Sequence, residues 1–151
     1  MIARRRQLIL STALAAVRAS ASATVEGTRV DVWKGPACGW CKDWHKHLEA
    51  SGFQVAAHDT GNGEARARLG MPVRYGACDT AEVAGYAIGH GPAREIRRLP
   101  KGRPVAIGPS VPAMPRGSPG MDGHEVGMQR EPHNVLLVLR DRSTRTYQSY
   151  G

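Results

Sequence analysis

A single phenylalanine among 151 residues, with aromatic residues at only 5%, leaves little material for a core built on rings. The large apolar anchors are three Trp and four Tyr instead, so one modest core is expected, in a chain long enough for one domain but not for two. No Gly-x-Ser-x-Gly, phosphate-binding loop or dinucleotide fingerprint occurs, which removes the hydrolase, nucleotide and nicotinamide classes that those motifs mark. Acids such as Asp43 and Glu82 form no paired arrangement for acid–base catalysis. Internal repeats are lacking too. What the chain has in quantity is glycine (18) and proline (10), so irregular structure should be plentiful.

The first two dozen residues have the pattern of an export signal. Arg4, Arg5 and Arg6 form a basic start, Leu8 to Val17 is an apolar run of ten, and Ala21-Ser22-Ala23 supplies small residues for cleavage. The run is too short to span a bilayer, which takes about 20 apolar residues. Arg5-Arg6-Gln7-Leu8-Ile9 also resembles a twin-arginine signal. The expectation is a signal peptide over 1–23, exported by the general secretory or twin-arginine route, and a mature domain over 24–151 in the periplasm. Residues 1–23 hold four of the 21 basic residues and no acid, so a net charge of +8 falls to +4 in the mature chain. That weakens any case for nucleic acid. The remaining cluster of Arg94, Arg97, Arg98, Lys101 and Arg103 reads as a solvated helix end, where cations suit the dipole. No membrane role is expected after cleavage.

Along the mature chain, Arg29 to Trp33 alternates polar and apolar as a half-buried strand does. Gly35-Pro36-Ala37 ends it, and Gly39 to Ser51 has helical spacing, with Gly52 just past its end. Phe53 to Ala57 is a second strand, Gly63 to Leu69 a short helix, and Thr80 to Ile88 a strand pair bending at Ala84-Gly85. Pro92 opens a helix to Leu99. Lys101 to Gly127, rich in Pro and Gly, is expected to be a long loop, followed by strands over Asn134–Leu139 and Arg145–Tyr150. The order predicts an α/β fold: a thioredoxin-like βαβ-ββα core with a Pro/Gly-rich loop and a C-terminal strand pair.

Three cysteines carry the chemistry. Cys38 and Cys41 form Cys-Gly-Trp-Cys where the first strand gives way to the first helix. Unpaired amide hydrogens and the positive helix end stabilise a thiolate there. A thiolate is the nucleophile of disulfide exchange and also a soft ligand for Cu(I) or Zn(II), and the spacing suits a disulfide and a chelate equally. Cys78, the odd cysteine, is placed at the start of the third strand, as a third ligand or as a core residue. Met114 and Met121, on the Pro-stiffened Val111–Met121 segment, offer thioethers that select Cu(I), against a bland role as loop filler. Met128 continues their seven-residue spacing, but the intervening Pro and Gly exclude a helix seam. His90, in Gly89-His90-Gly91-Pro92, is a further candidate donor. His45, four residues after Cys41, shares its helix face and is expected to be an exposed helix residue.

Several blocks together resemble one known family. They are Lys34-Gly-Pro-Ala-Cys-Gly-Trp-Cys41, Trp44-His-Lys-His-Leu48, Gly52-Phe53, Leu69-Gly-Met-Pro72 and Ala77-Cys-Asp-Thr-Ala81, followed by Gly85-Tyr-Ala-Ile-Gly-His90, Ile96-Arg-Arg-Leu99 and Met114-Pro-Arg-Gly-Ser-Pro-Gly-Met121. The chain is similar to the small exported proteins of the domain-of-unknown-function 411 family, which includes periplasmic CopG-like copper-binding proteins. The resemblance implies a thioredoxin-like fold, copper held in a thiolate site and a role in metal resistance or handling, with other periplasmic copper-handling proteins as partners. Two positions depart from the family pattern. Trp40 stands where the family commonly has a third cysteine of Cys-Gly-Cys-Cys, and Asp79 stands where it tends to have His in Cys-His-Thr. Each departure removes a donor, so a mononuclear site at Cys38, Cys41 and Cys78 is expected, with His90, Met114 and Met121 as weaker ligands, Cu(I) preferred and zinc the second choice. The alternatives are a periplasmic thiol–disulfide oxidoreductase in which Cys38 attacks and Cys41 resolves, and a degenerate family member whose Cys38–Cys41 disulfide is only structural.

Overall fold

The computed structural model describes residues 27–121 and 129–151. The signal segment over 1–23, the start of the mature chain at Thr24, and Met128 lie outside the described residues. The chain orders as β1 (Arg29–Lys34), α1 (Gly39–Ala50), β2 (Gln54–His58), α2 (Gly63–Arg68), a 3-10 turn (Val73–Tyr75), β3 (Asp79–Val83), β4 (Tyr86–Ile88), α3 (Ala93–Gly102), β5 (Gly108–Ser110), β6 (His133–Val138) and β7 (Thr144–Tyr150). The fold is therefore mixed α/β, with three α-helices and seven strands among the described residues.

A four-stranded sheet in the order β2-β1-β3-β4 holds the first half. β1 and β2 run parallel through α1, while β1/β3 and β3/β4 are antiparallel. The β3–β4 hairpin turns on Ala84 and Gly85, both at positive φ (49° and 82°), as a tight two-residue hairpin turn requires. The alternation read in β1 turns Val30 and Val32 into the core with Trp44 and Leu48 of α1, Ile88 of β4, and Ile96 and Leu99 of α3. Leu137 of β6 joins the same cluster, so the second sheet, β5-β6-β7, shares this core.

Two departures from the sequence reading have clear causes. α3 continues past Leu99 through Pro100 to Gly102 and ends at Arg103 in the left-handed region. The proline ring withholds one helical N–H, but Leu99, buried at this end, packs the helix into the core. The expected long loop also contains a strand. Gly108-Pro109-Ser110 has no strand propensity of its own, yet it pairs with Val138, Leu137 and Leu136 of β6. Tertiary partners decide the conformation there. β5 also joins the two sheets, because Ala87 donates to Ile107 O (2.9 Å), Gly89 to Pro109 O (2.9 Å) and Val111 to Gly89 O (3.0 Å).

At the far end of β7, the Tyr150 hydroxyl donates to Glu95 Oε2 of α3 at 2.7 Å, and Glu95 is fully buried. Burial and the hydrogen bond to Glu95 push the Tyr150 phenol up to about 12. An unfolded tyrosine ionises near pH 10, so the folded chain keeps a proton that the unfolded chain releases. This contribution is complete below about pH 10 and is lost as pH rises toward 12. Tyr147 is raised by burial in the same sense. Tyr150→Phe is expected to cost about 1–2 kcal/mol at pH 7, because it strips a partner from a buried carboxyl, and to flatten part of the alkaline decline. Urea unfolding at pH 7 and pH 11 checks both; a variant as stable as the parent would show the hydrogen bond carries no weight.

Candidate metal centre

The site is assembled at the N-terminus of α1. Gly35, Pro36 and Ala37 end β1, Cys38 takes the N-cap position in extended backbone (φ −72°, ψ 100°), and its Sγ accepts the Cys41 N–H at 3.3 Å. The Cys41 amide, at the start of the helix, therefore faces the Cys38 sulfur. Cys41, one turn in, is fully buried beside Trp44 and Leu48. Cys38 and Cys41 are joined in a disulfide.

Cys78 precedes β3 by one residue, and the antiparallel pairing of Lys34 with Asp79 brings it to the end of β1, opposite α1. Its Sγ lies 3.0 Å from Cys41 Sγ and 3.4 Å from Cys38 Sγ. All three sulfurs fall within 4.8 Å of one another, a set able to hold a metal ion. Met114 Sδ lies 3.2 Å from Cys78 Sγ. Cys78 is exposed as a residue, but its sulfur is crowded by these neighbours. This burial, together with the charge of Asp79, pushes the thiol up to about 12.

The Pro/Gly-rich segment closes over this corner. Ala113 and Met114 both occupy the left-handed region (φ 62° and 46°), a costly conformation for two successive non-glycine residues, and this places the buried Met114 against Cys78. Further on, Gly120 (φ 85°) lies against the α1 backbone; a Cβ there would sit 2.7 Å from the Trp44 nitrogen. Met121 bonds through its backbone N–H to Ser118 O at 2.9 Å, and no sulfur contact joins it to the cysteines among the described residues.

His90 lies beneath the site, fully buried, at positive φ (70°) and 5.0 Å from the Trp44 ring. Its Nδ1 is 3.5 Å from Asp79 Oδ2, which is 3.9 Å from Cys78 Sγ. The histidine thus meets the thiol through Asp79 rather than within the sulfur set. Trp44 Nε1 donates to Gly91 O at 2.8 Å and fixes the loop that carries His90. His45, expected to be exposed, is buried, its Nε2 lacks a hydrogen-bond partner, and burial lowers its pKa. The spacing that put it on the Cys41 face also put it on the inward face. Asp79 and His47 carry roles that the sequence reading missed. His47 Nε2 accepts the Ala93 N–H at 3.1 Å and serves as the missing side-chain cap of α3, whose N-cap is Pro92. Only the topology brings those groups together.

A Cys-x-x-Cys pair on a helix N-terminus, faced by a third thiol and a thioether, defines a mixed α/β protein whose sulfur cluster suits soft metal ions once the pair is reduced. The family model described as a protein of unknown function, DUF411, matches residues 75–121. A solved structure titled copper resistance protein CopG, form 2, is 37% identical, with a TM-score of 0.74, covering 83% of this chain and 100% of that one. Form 1 is 38% identical, with a TM-score of 0.73, covering 83% and 98%. The chain belongs to the CopG-like DUF411 family. No curated protein matches it. Among the described residues, no helix is long and apolar enough to cross a membrane.

Proposed function

We propose that this chain is a periplasmic copper-handling protein that binds Cu(I), with zinc as the second choice, through Cys38, Cys41 and Cys78. The observation that carries the reading is the triangle of three sulfurs with Met114 against one corner. Cu(I) is the soft ion that thiolates and a thioether select together, and the similar structures, named as copper resistance proteins, agree with it. His90 and Met121 are candidate outer donors. The βαβ-ββα order supports a thioredoxin-like core, and Arg4–Arg6 with the following apolar run supports export, the domain proper being 24–151.

Loading needs the Cys38–Cys41 bond opened. A dithiol reductant supplies two electrons and two protons, giving two thiols, and each thiol that ligates then gives up its proton. The reduced protein is expected to retain about one equivalent of Cu(I) against a competing chelator under anaerobic conditions, with its thiols protected from alkylation. Failure to compete for Cu(I) would remove the metal reading.

The second reading, a thiol–disulfide oxidoreductase, is favoured by the bonded Cys38–Cys41 pair itself. Cys78 does not serve it well as an internal nucleophile. It is nearly equidistant from the two bonded sulfurs and so lies beside the bond rather than on its extension, where displacement at sulfur takes place. Turnover of an external dithiol by the pair, with Cys78→Ser unaffected, is the result this reading requires.

A further inference from the structure

A cleft of about 400 Å³ opens between the C-terminal half of α3 and the edge strand β7, lined by Arg98, Lys101, Gly102, Pro104, Arg145 and Tyr147. We propose that this cleft binds a small, multiply charged oxyanion of the phosphate class, held by Arg98, Lys101 and Arg145 around the Tyr147 phenol. The placement follows from the two periodicities. Arg98 and Lys101, three apart, share one face of α3, while Arg145 and Tyr147, two apart, share one face of β7. The helix cluster alone reads as a solvated helix end, but the fold adds a third cation from a distant segment and makes the surface concave.

No carboxylate lines the cleft. Lys101 and Arg145 have no acidic partner among the described residues, and Glu95, in the first turn of α3, is taken by Tyr150 and faces Arg94 at 3.7 Å. Helix-dipole complementarity accounts for Lys101 near the end of α3, but not for Arg145, which stands on a strand. Three uncompensated cations about one concavity repel each other, and an anion relieves that repulsion. Arg98 is already oriented. Its guanidinium lies 4.4 Å from the centroid of the Tyr147 ring, and one N–H points to Tyr147 O at 3.5 Å, leaving other donors of the planar fork for an oxyanion. The Tyr147 phenol, neutral at neutral pH, can donate, and the volume lies in the range of small-ligand pockets.

The test is calorimetric titration of the full chain with inorganic phosphate and with pyrophosphate in phosphate-free buffer. A parallel arm measures sedimentation with phosphatidylglycerol or phosphatidylcholine vesicles. Saturable binding is expected, weakened about tenfold by Arg145→Gln and by Lys101→Gln, as loss of one charge-assisted contact predicts. Arg98→Lys, which keeps the charge and loses the fork, should weaken it less. Cu(I) retention should be unchanged in Arg145→Gln, which confirms that the variant is folded. Binding of phosphatidylglycerol vesicles alone, lost in the same variants, would assign the oxyanion to a lipid headgroup. No binding in either arm, or binding that survives the Lys101→Gln/Arg145→Gln pair, overturns the proposal.

Discussion

Cys41→Ser should lower Cu(I) affinity by more than about 100-fold, beyond the 10–100-fold typical when a residue outside the ligand set is lost. Cys41 is the sulfur most fully enclosed, at 0% exposure, and the one closest to Cys78. A serine hydroxyl there is a hard donor that stays protonated at neutral pH, so the substitution removes a ligand rather than weakening one. The two remaining thiols, Cys38 and Cys78, are 3.4 Å apart and sit on separate elements, without the helix turn that pre-pays chelation. The serine also buries a hydroxyl in a packed corner, so the unfolding midpoint must be measured beside the affinity. Cys78→Ser supplies the control. Its exposed position makes it the milder change to the fold while still deleting a corner of the triangle. Met114→Ala, by contrast, should reduce affinity by no more than about tenfold, since a thioether is a weak soft donor. If Cys41→Ser binds Cu(I) as the parent does, the sulfur triangle is not the metal site.

How much of this was legible in the sequence depended on how local the cause was. The Cys38–Cys41 turn was legible because the Gly35-Pro36 break, the cap position and the helical spacing all lie within a dozen residues. The β3–β4 hairpin was legible because Ala84-Gly85 marks its own turn. Cys78 could be placed near the pair only through an assumed topology, and the observed register of Lys34 with Asp79 supplies that placement. Met114 had only its chemistry to recommend it. Its contact with Cys78 depends on two left-handed residues that nothing in Pro-Ala-Met announces. β5 was illegible for a similar reason, since Gly-Pro-Ser is a strand only because β6 lies beside it. The buried polar layer of His45, Asp79, Thr80 and His90 was hidden: His45 was expected on an exposed helix face, and nothing local to the other three announces that the fold encloses all four. Asp79, one of the two departures from the family pattern, is part of that layer, whereas Trp40 is exposed. On the copper-binding reading proposed above, Trp40 and Asp79 offer no thiol and no imidazole where the family resemblance implies them, so that reading expects one ion rather than a bridged cluster.

Gly108→Ala should destabilise the chain by more than about 4 kcal/mol, or prevent folding outright, although no side chain is lost. Gly108 has φ +155° and pairs with Val138, while the neighbouring Ile107 accepts the Ala87 N–H at 2.9 Å. A Cβ on Gly108 would lie 2.8 Å from the Ala87 carbonyl carbon and 3.1 Å from its nitrogen, with the carbonyl oxygen nearer still. Those are backbone atoms of β4, held in register against Glu82 of β3, so no rotamer change can make room. The two sheets must separate at β4–β5, giving up the hydrogen bonds of Ala87, Gly89 and Val111. Gly85→Ala is the matched control. It also has positive φ (82°) but meets open space, so it should cost only about 1–2 kcal/mol of backbone strain. The same seam leads directly into Pro112, Ala113 and Met114. A folded remnant of Gly108→Ala should therefore keep its three thiols but hold Cu(I) less tightly, as Met114→Ala does. Thermal unfolding and Cu(I) competition on the pair of glycine variants read out both consequences. Equal melting temperatures for Gly108→Ala and Gly85→Ala would mean that the sheets do not meet at this carbonyl.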